Sequence, residues 1–350
     1  MLHSLSYNLF LTIWDVIFFL ICRKNRHPRS YFGALFCFLP LSFGSAFFWR
    51  FDIFDLLRLF SWAVFLHFPL LILLFAFLCR RSFRRLSILG FFTVIVFFGI
   101  WLDAFWIEPF WLEVTSYNIR SEKIKTPLKI VVLADLQTDY IGSYEKEVLN
   151  RVMAEAPQII LLPGDFIQAE PSQQVPLCQE LNHFLKALKF QAPQGVYAVE
   201  GNTDEASWPL IFEKLPVTVF LKTETILQEE IAITGLTMRD SFMRTLQISS
   251  PDSKPFHLVF GHAPDFALGS IDADLLVAGH THGGQVQIPG LGPLMTFSSV
   301  PRSWASGKTD LGNGRTLIVS RGIGMERHHA PRLRFFCRPQ LVIIYLLPKE

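Results

Sequence analysis

Four long apolar segments dominate the first third of the chain, at residues 5–22, 31–48, 57–79 and 86–107. Each approaches or exceeds the roughly 20 helical residues that a bilayer core requires. They are apolar nearly all round, whereas a helix on a soluble core usually keeps a polar face. The expectation is an all-α bundle of four transmembrane helices over residues 1–110. A linker over 111–126 and a globular domain over 127–350 would follow. The 51% hydrophobic content and mean hydropathy of +0.34 come from this N-terminal part.

The loops between the segments carry an orientation signal. Arg23, Lys24, Arg26 and Arg29 follow the first segment, and Arg80, Arg81, Arg84 and Arg85 follow the third. In the loop after the second, Asp52 and Asp55 offset Arg50. Basic loops stay in the cytoplasm. Both ends of the bundle, and the globular domain, are then expected on the non-cytoplasmic face of a multi-pass membrane protein. Trp101, Trp106 and Trp111 suit the interfacial belt near the exit. The first segment has no basic residue before it and no small-residue cleavage site after it, so it reads as a span rather than a signal peptide. Asp15 and His67 are ionisable groups inside spans and are read as hydrogen-bonding partners between helices.

A net charge of +2, with no basic run interleaved with aromatics, argues against nucleic acid as a partner. Five cysteines show neither a disulfide framework nor zinc-ligand spacing. From residue 127 onward, Val- and Ile-rich runs alternate with amphipathic stretches, the pattern of an α/β domain with buried sheets. The runs at 128–134, 159–162, 196–200, 257–261 and 275–279 each end in a polar cluster. These are Asp135, Gly164-Asp165, Gly201-Asn202, Gly261-His262 and Gly279-His280-Thr281-His282. Strand ends are where α/β sheets place their sites. Carboxylate, amide and imidazole together suit Mn, Fe or Zn. Any one of these elements is ordinary turn chemistry; all of them, each after an apolar strand, point to a metal site.

The ordered set Leu133-Ala134-Asp135-Leu136-Gln137, Gly164-Asp165, Gly201-Asn202-Thr203-Asp204, Gly261-His262 and Gly279-His280-Thr281-His282-Gly283-Gly284-Gln285 resembles the calcineurin-like metallophosphoesterase family, in its bacterial membrane-associated branch. The resemblance runs from about residue 127 to the C-terminus. It implies a four-layer α-β-β-α sandwich and two divalent metal ions, with in-line attack on phosphorus by a metal-bound hydroxide. Asp135 and His282 match ligands of the first metal, Asp165 the bridging carboxylate, and Asn202, His262 and His280 ligands of the second. Catalytic roles would fall on Asp165, His280, Thr203 and Asp204.

Two positions depart from the family pattern. Gln137 stands where the family has His, and three roles are open to it: direct ligand, contact through water, or an open coordination position. Thr203 stands where the family has a His that assists the leaving group, and a hydroxyl offers no near-neutral pKa. Arg321, after a late strand, is a candidate for binding phosphate. Arg327, His328, His329, Arg332 and Arg334 form a C-terminal basic patch, read either as surface or as substrate contact. Leu291, Leu294, Met295, Phe297 and Trp304 make an apolar loop that fits either core or an acyl-chain groove. The expected function is membrane-bound hydrolysis of a phosphoester or pyrophosphate bond in a phosphorylated small molecule or lipid. A UDP-diacylglucosamine-type nucleotide-lipid pyrophosphatase and a catalytically degenerate metal- or lipid-binding sensor are the alternatives.

Overall fold

The computed structural model describes residues 2–24, 28–50, 52–228, 230–253 and 255–349; Arg26 of the first basic loop lies outside them. The chain divides into two compact units. One comprises Met1–Trp106 with His329–Arg332, and the other Ile107–His328 with Leu333–Glu350.

In the first unit, α1 (Leu2–Lys24) and α2 (Pro28–Ala46) are followed by α3 (Ile53–Trp62), a π-helical turn at Ala63–His67, α4 (Phe68–Cys79) and α5 (Arg84–Leu102). Tyr7, Leu11, Phe38, Leu59, Leu71 and Phe75 form its core. Gly90 of α5 lies so close to α4 that a Cβ there would sit 2.8 Å from that of Ala76. Among the described residues, three stretches are long and apolar enough to cross a membrane: Ser4–Ile21, Ile53–Cys79 and Arg84–Phe110. The apolar part of α2, Tyr31–Ala46, is shorter. It contains Pro40 and gives way to turns at residues 47–49, so the sequence expectation of four full-length spans is not reached by this measure.

The polar groups inside this unit find each other. His67, at the end of the π-helical turn, places Nδ1 2.6 Å from Asp15 Oδ2 and Nε2 3.0 Å from Asn8 Oδ1. Asn8 Nδ2 donates to the Ser4 carbonyl, which fixes its amide and makes His67 Nε2 the donor to Oδ1. The turn has the wider geometry that often marks a polar insertion in a helix. This is the helix–helix bonding expected for Asp15 and His67.

The second unit contains β1 (Glu113–Ser121), β2 (Leu128–Val132), β3 (Ile159–Leu162), β4 (Val196–Val199), β5 (Val217–Phe220), β6 (Glu224–Leu227), β7 (Ile231–Gly235), β8 (Phe256–Phe260), β9 (Leu275–Ala278), β10 (Gly307–Gly312), β11 (Arg315–Val319) and β12 (Gln340–Pro348). They form two six-stranded sheets, ordered β1-β12-β2-β3-β4-β5 and β10-β11-β9-β8-β7-β6. Residues 113–121, inside the expected linker, are thus a strand, paired in parallel with β12. β2, β3, β4 and β5 pair in parallel, as do β7, β8, β9 and β11.

Strand periodicity explains how the sheets stack. Alternate residues point to opposite faces. Ile130, Val132, Ile159, Leu161 and Val199 of the first sheet share one core with Ile233, Leu258, Phe260, Val277 and Ile318 of the second. The intervening Val131, Ile160 and Ala198 face outward onto α6 (Ser143–Ala154) and α7 (Pro171–Ala187) through Val148, Leu149, Leu181 and Leu185. On the far side, Val259, Leu276 and Leu317 pack against Phe266 and Ala267 in the 3-10 turn Pro264–Leu268. The layers follow the α-β-β-α order, and the fourth layer includes the 3-10 turn Pro264–Leu268 and the short helix Met238–Ser241. Burial on both faces is why these strands read as unbroken apolar runs.

Leu161 is fully buried between the sheets. Leu161→Ala should cost roughly 2–5 kcal/mol, the range for large-to-small core changes. Urea unfolding checks this, and an unchanged midpoint would place Leu161 outside a load on stability.

Candidate metal centre

The sheets bring the ends of five strands to one place. Asp135 follows β2, Asp165 follows β3 and Asn202 follows β4, all in the first sheet; His262 follows β8, and His280 and His282 follow β9, in the second. Backbone bonds tie neighbouring ends together. The Asp135 N–H donates to Gly164 O at 3.1 Å, Gln137 N–H to Asp165 O at 2.8 Å, and Gly279 N–H to His262 O at 2.9 Å.

The turns are strained where the polar residues stand. Asp135, Gln137, Asp165, His280 and His282 all have positive φ, at 50°, 38°, 55°, 69° and 48°. Such left-handed conformations cost non-glycine residues on the order of 1–3 kcal/mol each and cluster at functional sites. The glycines of the motifs do something different: they make room. A Cβ on Gly279 would lie 2.7 Å from Asp135 Oδ2, and one on Gly201 would collide with Asp165.

Two groups of electron-rich atoms result. In the first, ligand atoms of Asp135, Asp165 and His282 lie within 4.8 Å of one another, and all three residues are buried. The second is defined by tautomers. His262 Nδ1 is 2.9 Å from the Pro163 carbonyl, so it carries the proton and Nε2 keeps a lone pair. His280 Nε2 is 3.2 Å from the Phe297 carbonyl, which by the same reasoning leaves Nδ1 unprotonated. These two lone pairs face each other at 3.1 Å, and Asn202 Oδ1 lies 2.8 Å from His262 Nε2. Asp165 Oδ2 lies 3.5 Å from that nitrogen, next to both groups.

Burial and neighbouring charge bear on the same groups. Burial, then the neighbouring Asp165, pushes Asp135 well above the usual carboxylate range, and burial raises Asp165. Burial lowers His262 to about 4; burial and then His262 lower His280 to about 4. Burial, then Arg334, holds His282 far below an ordinary imidazole. Neutral imidazoles and crowded carboxylates are what a cation would stabilise, and a bound cation inverts these preferences. Gln137 Oε1, two residues after Asp135, is buried without a hydrogen-bond partner. The residues present fit divalent metal.

The other expected site residues sit as follows. Asp204 is a clamp: Oδ2 accepts from the Asp165 and Gly201 N–H groups at 2.8 and 2.9 Å, and Oδ1 from Phe166 N–H at 2.8 Å. Its carboxylate thus braces the backbone around Asp165. Burial and then Asp165 push it up to about 7. Thr203 N–H donates to Asp165 Oδ1 at 2.8 Å, while its hydroxyl is buried without a partner. Arg321 Nη2 donates to Glu113 at 2.8 Å, while its Nε is buried without a partner. Arg334 is not surface: it is fully buried and donates to the carbonyls of Gly324, Arg321 and Cys337. Gln168 and Glu326, absent from the sequence reading, bond to the Gln137 amide. Nothing in their spacing announces this, because the segments meet only in the folded domain.

Residues 128–284 match the family model described as calcineurin-like phosphoesterase. This domain belongs to the calcineurin-like metallophosphoesterase family. The chain is similar to the uncharacterized metallophosphoesterase YkuE of Bacillus subtilis, at 28% identity over 66% of this chain and 84% of that one. It is also similar to an uncharacterized metallophosphoesterase of Aquifex aeolicus, at 26% identity over 67% of this chain and 92% of that one. The phosphodiesterase YaeI of Escherichia coli is 28% identical over 63% of this chain and 83% of its own length. The protein is a metal-dependent phosphoesterase.

Asp204→Asn leaves only one oxygen for the backbone donors that Asp204 now serves. Loss of such a supporting partner typically lowers metal affinity or activity about 10–100-fold. Mn(II) titration of the full chain measures it; wild-type affinity would mean that Asp204 does not position Asp165.

Proposed function

We propose that this chain is a membrane-bound dimetal hydrolase cleaving a phosphoester or pyrophosphate bond in a lipid or envelope metabolite. The observation that carries the reading is the pair of adjacent acceptor groups sharing Asp165. Asp135, Asp165 and His282 would hold one divalent cation, and Asp165, Asn202, His262 and His280 the other. When bound, such a pair activates water and neutralises charge on phosphoryl oxygens. The chain's part is to present lone pairs from rigid strand ends, so that little reorganisation is needed during reaction.

Two features support the substrate class. Thr203 supplies no near-neutral acid, so a leaving group that departs without a proton, such as a phosphate, suits the site. Ile288, Leu291, Leu294 and Phe297 are exposed on a loop, and the Phe297 carbonyl accepts from His280. An apolar rim beside a phosphoryl site suits a molecule with an acyl or prenyl chain. The phosphodiesterase activity in the name of the E. coli relative agrees with a phosphoester bond.

Asp165→Asn should reduce hydrolysis of phosphodiester and pyrophosphate substrates to background while the domain keeps its circular dichroism. Full activity in that variant would end the dimetal reading.

The apolar helices support a multi-pass anchor. At 1.5 Å per residue, the 19 residues of α2 reach about 28 Å, close to the ~30 Å of a hydrocarbon core, and we read it as a fourth span. With both basic loops inside, the catalytic domain lies on the non-cytoplasmic face. A cytoplasm-only fluorescent reporter fused after Glu350 should stay dark, and an alkaline phosphatase fusion should be active. The reverse pattern would move the domain inside and favour a nucleotide-lipid pyrophosphate, the activated precursors being cytoplasmic.

A further inference from the structure

Gln137 occupies a buried position whose hydrogen bonds determine which way its amide points. The backbone N–H of Arg327 donates to Gln168 Oε1 at 2.7 Å. A backbone N–H can only donate, so the Gln168 atom facing it is oxygen, and Gln168 Nε2 is left to donate to Glu326 Oε1. The Gln137 atom 3.0 Å from Gln168 Oε1 must then be its nitrogen. That nitrogen also meets Glu326 Oε2 at 3.1 Å, which occupies its second N–H. Glu326 is itself held in place, its N–H donating to Gln285 Oε1 at 3.1 Å, and Arg327 Nε donates to the Gln137 carbonyl at 2.9 Å.

Every amide hydrogen of Gln137 is therefore spoken for on one side, and Oε1 is left buried with no protein donor. A buried carbonyl oxygen left unsatisfied is unfavourable, because it has given up water without gaining a donor. A rotated amide would not relieve this, because it would set oxygen against the Glu326 and Gln168 oxygens. The same residue's backbone N–H bonds to Asp165, and Asp135 is two residues earlier on the same turn.

We propose that Glu326 and Gln168 are positioning residues that hold the Gln137 carbonyl oxygen as a ligand for the cation at Asp135, and that this makes the position selective for a hard ion such as Mn(II) or Mg(II) over Zn(II). The inference rests on the dimetal reading above. Asp135, Gln137 and Asp165 then offer oxygen, with His282 the single nitrogen. Oxygen donors suit Mg and Mn, whereas imidazole suits Zn. The family's histidine at this position would shift the balance toward zinc.

The test uses the full chain in detergent, stripped of metal, with Mn(II) binding followed by electron paramagnetic resonance and Zn(II) added in competition. Wild type should bind two Mn(II). Glu326→Leu and Gln168→Leu should each weaken one of the two by about tenfold or more, the usual effect of losing an outer partner. The other ion should bind as before, and the melting temperature of the metal-free protein should hold. Gln137→His should move the Zn-to-Mn preference at that position toward zinc by a similar factor. A purely structural role for Glu326 would lower the melting temperature and weaken both ions together. Two Mn(II) in wild type with unchanged affinity in both leucine variants, or an unchanged Zn-to-Mn preference in Gln137→His, would overturn the inference alone. No bound cation of any kind in wild type would overturn the dimetal reading and this inference with it.

Discussion

His262 and His280 turn unprotonated nitrogens toward each other, and His262 also faces the oxygen of Asn202. Acceptors do not attract acceptors, so this contact needs a positive charge or a proton between its members. Carbonyls behind both rings, of Pro163 and Phe297, claim the ring protons for themselves. The tautomers are thus set from outside the site, and the lone pairs are left facing inward. The buried carboxylates of Asp135 and Asp165 extend the same imbalance. A domain that folds around such a centre keeps it together through the inter-sheet core and the backbone clamps, of which Asp204 is the clearest.

That imbalance also accounts for the backbone. Five of the polar residues adopt positive φ, a conformation side chains disfavour. The strain is affordable because each turn is anchored at both ends: by a buried strand behind and by bonds to a neighbouring turn beside it. Rigid ends leave the ligands little freedom to drift, which is the property a preorganised electrostatic site requires.

The sequence made the strands legible because each was a short run of β-branched residues buried on both faces, and the site legible because each run stopped at a glycine or a polar residue. That punctuation is why Asp135, Asp165, Asn202, His262, His280 and His282 stand together at the strand ends. What sequence could not reveal depends on contacts between distant segments. The clamping role of Asp204 is visible only once the three N–H groups that donate to it are known. Arg334 reads like surface charge until it is seen surrounded by carbonyls. Glu326 has no motif at all. β1 was missed because its half-exposed, polar-rich sequence looks like a linker, and only the pairing with β12 makes it a strand.

The position of β12 has a consequence for biosynthesis. The last strand of the chain lies between β1 and β2, with parallel pairing on one side and antiparallel on the other. Gln340–Pro348 leaves the ribosome after all the candidate ligands, so the first sheet stays split until that strand has emerged. A nascent chain interrupted before β12 would carry its acceptors on an unfinished sheet.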